Sequence, residues 1–448
     1  MDGLILAGEA LLAMALNPFY YMGLILTVLL YRRQVTLERK LLYMRLHSAL
    51  GQVWRACLWG IAGALLISLA TAGFGLLLTA ETLVWVWAVT AALMLFRLRY
   101  ASIAYAAGVI ALLQLLAVSL EAVQEIEGLR PVVRSLLDIH LPSLFALAAV
   151  VHLIEAVLIR MQGDKLATPL YVDGKRGKVI GAYEIQAMWA LPLLVVVPAG
   201  YGVGSGWFEL PWPMFFGGAQ WSGGWSLLAF PVLLGYAGMA AAELPARKAR
   251  RIFGKLLLLA GLLGALAVVC EIWPYTWLAA LTALLSIGLH EAIVILSDRR
   301  ERGRSPAFVS GGSGLRVLDV LPGSAAAAMG IKRGETIVKA NGYAVASREE
   351  LHAALRSNSA FCRLEIVNHD GHNRFEQRAL FDGEHHQLGL ALCPDDHTPH
   401  YTKWRPLTLV GLFKIGIHHT YASPSDLSGR EAAAGLVPAA EDEAKELQ

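Results

Sequence analysis

Residues 314–342 read GLRVLDVLPGSAAAAMGIKRGETIVKANG, and the order of apolar, turn and helix-forming residues in this stretch describes a small folded unit. Leu315–Val320 alternates with period two, as a half-buried strand does. Pro322-Gly323-Ser324 turns the chain, the alanine run makes one helical turn ending at Gly330, and residues 332–335 lead into a second strand, Thr336–Ala340. Asn341-Gly342 closes it with a pair suited to a turn whose two central residues both have positive φ. Ser347 and Glu350 have capping-box spacing and open a helix with Leu351 and Leu355 on one face. Strands at 361–367 and 374–380 flank a turn at Asp370-Gly371. Residues 305–396 are thus expected to form one α+β domain.

Upstream the composition is different in kind. Of 448 residues, 56% are hydrophobic without counting 43 glycines, and only 16% are charged; mean hydropathy is +0.52. Soluble domains carry about 25% charged residues, so the balance argues against a soluble enzyme, a disordered scaffold or a disulfide-rich secreted module. Apolar runs of roughly 20 residues match a hydrocarbon core ~30 Å thick. The expected fold is an α-helical polytopic membrane protein with about nine spans over residues 1–304, followed by the small α+β domain. The spans fall near 17–31, 57–78, 82–96, 101–120, 141–159, 185–203, 223–243, 254–273 and 276–297. Residues 3–16 either extend the first span or lie in the interface. Cys57, Cys270, Cys362 and Cys393 have no CxxC spacing and read as reduced structural thiols. Asp2 and Glu9 replace the basic n-region of a cleaved signal, so the N-terminus reads as mature protein.

Lys and Arg give the orientation. Over residues 1–304 one set of alternate loops holds 22 and the other only Arg130 and Arg134. This predicts an outside N-terminus and a cytoplasmic C-terminal domain, with an odd number of spans. The cluster Arg247–Lys255 serves either topology alone or attraction of anionic lipid.

The succession of strand, Pro-Gly-Ser, Ala-rich turn, Gly-Ile, Gly-Glu, Ile and Asn-Gly resembles a PDZ domain of the bacterial kind, with Glu335 where that family usually has Asp. In permuted bacterial members the strand that receives peptide comes last. The resemblance places it here at residues 387–392, with Leu388-Gly389-Leu390 matching the apolar-Gly-apolar carboxylate loop. An extended peptide would pair along the edge near Gly389–Leu392, its last side chain entering a pocket lined by Leu351, Leu355 and Leu390. Glycine in the loop lets N–H groups converge on a carboxylate. The same leucines also suit a plain core.

A PDZ domain on a membrane protein invites an intramembrane zinc protease, which needs HExxH. His290-Glu291 is followed by Val294 where the second histidine is required. His152 and Glu155 lack the His–Glu adjacency, and Asp173-Gly174 precedes the domain instead of following it. No catalytic residue, metal or cofactor is expected. His152, Glu155, His290 and Glu291 remain as intramembrane polar residues, structural or coupling. His385-His386 and His418-His419 read as solvated surface. No phosphate-binding loop or nucleic-acid module is present in the sequence.

The order of parts, spans first and one PDZ-like domain last, resembles the MinJ family of polytopic cell-division proteins of Gram-positive rods. So do residues 163–170 (GDKLATPL), 173–178 (DGKRGK) and 183–194. The resemblance implies a scaffold at poles and septum that links a DivIVA-like protein to MinD. The alternatives are a degenerate or unusual intramembrane metalloprotease and a transporter with a regulatory PDZ domain. Residues 397–422 form an apolar extension that packs on the domain or touches the membrane, and 423–448 form an acidic tail expected to be disordered.

Overall fold

Apolar helices dominate the first part of the chain. In the computed structural model they are α1 (Asp2–Ala15), α2 (Pro18–Leu42), α3 (Ala49–Phe74), α4 (Ala80–Phe96), α5 (Ile103–Ser119), α6 (Arg130–Leu137) and α7 (Leu141–Gln162). The structure describes residues 2–419 apart from 121–123, 207, 211, 213, 311–313, 359, 382–387, 396, 397, 399, 404–406 and 414–417. The expected tail at 423–448 lies outside the described residues, as do His385-His386 and Gln387. Three strands follow, β1 (Ala167–Asp173), β2 (Val179–Pro198) and β3 (Trp225–Ala240), then α8 (Pro245–Ile272) and α9 (Thr276–Gly303).

Among the described residues α3, α7, α8 and α9 are long and apolar enough to cross a membrane, and the pair α1–α2, bent by 55°, is a fifth candidate. The stretch at 3–16 is therefore a separate helix, with Leu6 beside Gly204. The expected spans at 82–96 and 101–120 are α4 and α5, each 17 residues and about 25 Å long.

The expected helical spans at 185–203 and 223–243 are strands instead. β2 and β3 form an antiparallel hairpin with continuous register from Tyr183↔Ala240 to Pro198↔Trp225, roughly 50 Å long. A strand buried on both faces has no polar alternation, so its sequence looks like a span. Val195–Val197 and the prolines at 192, 198 and 231 favour extended backbone over helix.

Inside a bilayer every backbone polar group needs a partner, and helix side chains supply four of them along the two edges of the hairpin. Gln34 Nε2 donates to the Gln186 carbonyl (2.9 Å), and Ser68 Oγ accepts from the Leu194 amide (3.0 Å). Trp87 Nε1 donates to the Pro231 carbonyl (2.8 Å), and Lys248 Nζ donates to that of Met239. These contacts show that even residues of β2 and odd residues of β3 turn their backbone outward. Pro192 and Pro231 face each other at such positions, so neither costs a ladder hydrogen bond. Gly60 lets α3 close on this edge: a Cβ there would lie 2.8 Å from the Ala190 carbonyl oxygen.

The hairpin runs alongside the helices. At its tip the Phe215 amide donates to the Phe74 carbonyl at the end of α3 (2.8 Å), and the Gly217 amide donates to Glu271 Oε1 near the end of α8 (3.1 Å). At its base the Gly181 amide donates to the Phe308 carbonyl (2.7 Å), where the chain leaves α9.

The module after α9 contains β4 (Leu315–Val320), α10 (Ala325–Ala328), β5 (Thr336–Ala340), β6 (Tyr343–Ala344), α11 (Arg348–Arg356), β7 (Phe361–Val367), β8 (Asn373–Ala379) and β9 (Leu390–Leu392). Its sheet has the order β8-β7-β5-β4-β9, with β6 on β5. The local readings hold: Asn341 and Gly342 have φ of 50° and 88°, and Ser347 and Glu350 form the reciprocal capping box. Among the described residues, 402 and 407–412 lie against the membrane part. Thr402 pairs in parallel with Val172 of β1, the Leu98 amide donates to the Leu407 carbonyl (2.9 Å), and Leu412 is buried. The described part of the apolar extension thus packs on the membrane part.

Candidate functional site

β9 is an edge strand, paired on one side with β4 through Val320↔Leu390 and Asp319↔Ala391. The Leu321 amide donates to the Gly389 carbonyl (2.8 Å) and the Cys393 amide to the Arg316 carbonyl (2.9 Å). Odd residues therefore face β4, and the backbone groups of Leu390 and Leu392 face outward. Leu388 and Gly389 both have left-handed backbone, φ 58° and 77°. A Cβ on Gly389 would lie 2.3 Å from Ser324 Cβ, so glycine is required there by the packing of the loop itself.

The structure brings Leu351, Leu355, Leu388 and Leu390 into one apolar cluster. All four are buried, the most exposed being Leu355 at 6%. All four thus pack into the core of the module. The outward edge is also covered at one end. Tyr171 of β1 donates its hydroxyl to the Leu392 carbonyl (2.8 Å), and Arg348 at the start of α11 reaches that hydroxyl at 3.4 Å. Burial pushes Tyr171 up to about 12, which keeps the hydroxyl protonated and able to donate.

Tyr171 lies between the 163–170 and 173–178 segments noted in the sequence, and this stretch is the junction of the two parts. Arg333 of the module pairs with Asp319 (2.7 Å), donates to the Asp164 carbonyl (3.1 Å) and lies over the Tyr183 ring. Leu318, Ala391 and Cys393 share an apolar cluster with Leu37 and Leu41 of α2 and with β1. Sequence reading gave Tyr171 no role and placed Arg333 only in the turn before the strand Thr336–Ala340.

The intramembrane polar residues divide into two groups. His152 of α7 and His290 of α9 lie 3.2 Å apart, each within 3.3 Å of Ser102 Oγ, and His152 also bonds the Ala148 carbonyl. Glu155 Oε2 lies 3.7 Å from His152 Nε2 and has no hydrogen-bond partner. Glu291 faces elsewhere, paired with Arg99 and accepting from the Tyr105 hydroxyl at 2.6 Å. The residue that would activate water in a protease is thus tied to a cation and a phenol. Among the described residues no three His, Cys, Asp or Glu side chains are placed to hold a metal ion. Ser102, Arg99 and Tyr105 were missed in the sequence because single polar residues at helix starts carry no pattern.

No family model matches the chain, and no solved structure matches it. Among curated proteins it is 27% identical over 386 residues to "Cell division topological determinant MinJ" of Bacillus subtilis (strain 168), covering 85% of this chain and 93% of that protein. The chain is MinJ-like. It is also 25% identical over 260 residues to "Probable cell division topological determinant MinJ" of Lacticaseibacillus paracasei, covering 57% of this chain and 67% of that protein. The first alignment is longer than the membrane part, so the MinJ-like character extends into the module as well. With its apolar helices, this MinJ-like chain is a cell-membrane protein.

Proposed function

We propose that the chain is a membrane-anchored scaffold in division-site selection, which holds a PDZ-type module at the cytoplasmic face and recruits protein partners there. The observation that carries the reading is the similarity to MinJ over 93% of that protein. The partners implied by the resemblance are a DivIVA-like protein and a MinD-like ATPase, concentrated at poles and septum. Anchoring acts by raising the local concentration of what the module binds. The orientation rests on the charge asymmetry: a hairpin that enters and leaves at one end counts as two crossings, so replacing two helices by β2 and β3 keeps the alternation of basic and acidic loops.

The proposed receiving site is the outward edge of β9, with Leu388-Gly389-Leu390 as its carboxylate loop and Leu351 and Leu355 of α11 beneath it. Beyond the Leu392 carbonyl, which Tyr171 holds, that edge would accept an extended peptide by backbone pairing. The buried state of the leucines means that the terminal side chain enters only as they move apart.

A fluorescent fusion imaged in dividing cells tests the scaffold. The full chain should concentrate at septa and poles and recruit a tagged DivIVA-like partner, whereas the chain without residues 305–396 should keep the membrane signal and lose the recruitment. Diffuse membrane signal from the full chain would reject the division role.

A further inference from the structure

The groove proposed above has two walls, β9 and α11, and one residue of the membrane part touches both. The Tyr171 hydroxyl donates to the Leu392 carbonyl at 2.8 Å, and Arg348 Nη2, in the first turn of α11, donates to that hydroxyl at 3.4 Å. Although β9 is an edge strand in its pairing, none of Leu390, Ala391, Leu392 and Cys393 is more than 3% exposed. Leu390 and Leu392 are buried in the module's own core. Ala391 and Cys393 instead share an apolar cluster with Leu41 of α2 and with Tyr171. The membrane part therefore closes over the strand.

Pairing geometry says what the Tyr171 hydroxyl replaces. The outward backbone groups of β9 belong to Leu390 and Leu392, and an antiparallel peptide meets them with every second residue. A peptide with its carboxylate in the Leu388-Gly389-Leu390 loop donates its last amide to the Leu390 carbonyl. The amide of its third residue from the end then falls at the Leu392 carbonyl, and that of its second points away from β9. The acceptor for the third residue is the one that Tyr171 holds.

The backbone of Tyr171 is fixed on both sides. It pairs with Gly181 of β2, and on its other edge its carbonyl accepts from the Thr402 amide at 2.8 Å while the Asp173 amide donates to the Thr402 carbonyl at 3.3 Å. The hydroxyl can leave in two ways, by rotation of the side chain or by movement of the module off β1. Arg333 on the Asp164 carbonyl and the Tyr183 hydroxyl on the Leu318 carbonyl oppose the second.

We propose that Tyr171 is an autoinhibitory competitor built into the membrane part. In the docked state the groove is closed to a peptide beyond its last two residues, and the C-terminus of a partner binds by taking the Leu392 carbonyl from the Tyr171 hydroxyl. The inference rests on the reading of β9 as the receiving edge.

Fluorescence anisotropy on the full chain in detergent tests it, with labelled hexapeptides, free at the carboxyl terminus and randomised at their last four positions, as the probe. Tyr171→Phe removes the hydroxyl and keeps the ring. It should tighten the best-bound peptides about fivefold, the equivalent of about 1 kcal/mol for one competing hydrogen bond. N-methylation of the third residue from the end should erase that gain, whereas N-methylation of the second should preserve it. A gain that survives methylation of the third residue would mean that the substitution only loosens the junction, and would overturn the proposal. Equal binding by the unaltered protein and Tyr171→Phe would overturn the competition and leave the receiving edge standing. Binding of no peptide by either protein would overturn both.

Discussion

Leu351 and Leu355 admit two readings in the sequence, a peptide pocket and a core, because a helix face spaced i, i+4 serves both. At 2% and 6% exposure they sit in the core of the module. Leu355→Ala should therefore cost the module about 2–5 kcal/mol, as buried leucine truncations do. In hydrogen exchange by mass spectrometry on the full chain, amides of β5 and β7 should exchange at least about thirtyfold faster, the equivalent of 2 kcal/mol. An unchanged rate would mean that Leu355 lines an open pocket after all. Gly389 has the same double character: its glycine was legible from the carboxylate-loop pattern, but the contact with Ser324 that demands it comes from residues 65 positions earlier. A valine there would disturb the loop before it disturbed any ligand. Amidating the C-terminus of a captured peptide is the cleaner probe of carboxylate recognition. His152, Glu155 and His290 were legible as buried polar residues, but their grouping around Ser102 depends on helix packing that no local pattern encodes.

At the scale of elements, the module was legible in detail and the hairpin was not. Turn residues and caps act within a few positions, so Asn341-Gly342 and the Ser347–Glu350 box could be read one by one. β2 and β3 were hidden because apolar surroundings on both faces remove the period of two. The remaining sign was proline: Pro192, Pro198 and Pro231 interrupt two runs that would otherwise be helical. Their placement makes a prediction. Pro192→Ala should leave the protein folded in detergent, since residue 192 turns its backbone away from β3. Leu191→Pro, one residue earlier, removes a ladder donor and should abolish monodisperse protein on gel filtration. Ser68→Ala should lie between them, orphaning the Leu194 amide at a cost of about 1–3 kcal/mol, read as a lower apparent melting temperature. Equal behaviour of Pro192→Ala and Leu191→Pro would refute the assigned edges.

For the whole molecule, the hairpin and the junction decide which surfaces share a side of the membrane. The tip of the hairpin meets the ends of α3 and α8 at Phe74 and Glu271. The base meets Phe308, and the module is held there by Tyr171, Tyr183 and Arg333. The basic ends of α2 and α9, with Arg39, Lys40, Arg300 and Arg302, lie on the module's side. On the proposed orientation, which follows from charge asymmetry, that side is the cytoplasm. Ser222 at the tip and Ser357 on the module are both exposed, and of the four cysteines only Cys57 is not buried. In a Cys57→Ser background, Ser222→Cys should react with a membrane-impermeant maleimide in intact cells, whereas Ser357→Cys should react only after permeabilisation. Labelling of both in intact cells would mean that β2 and β3 do not cross the bilayer. The reverse pattern would put the module outside, where cytoplasmic division proteins could not reach it.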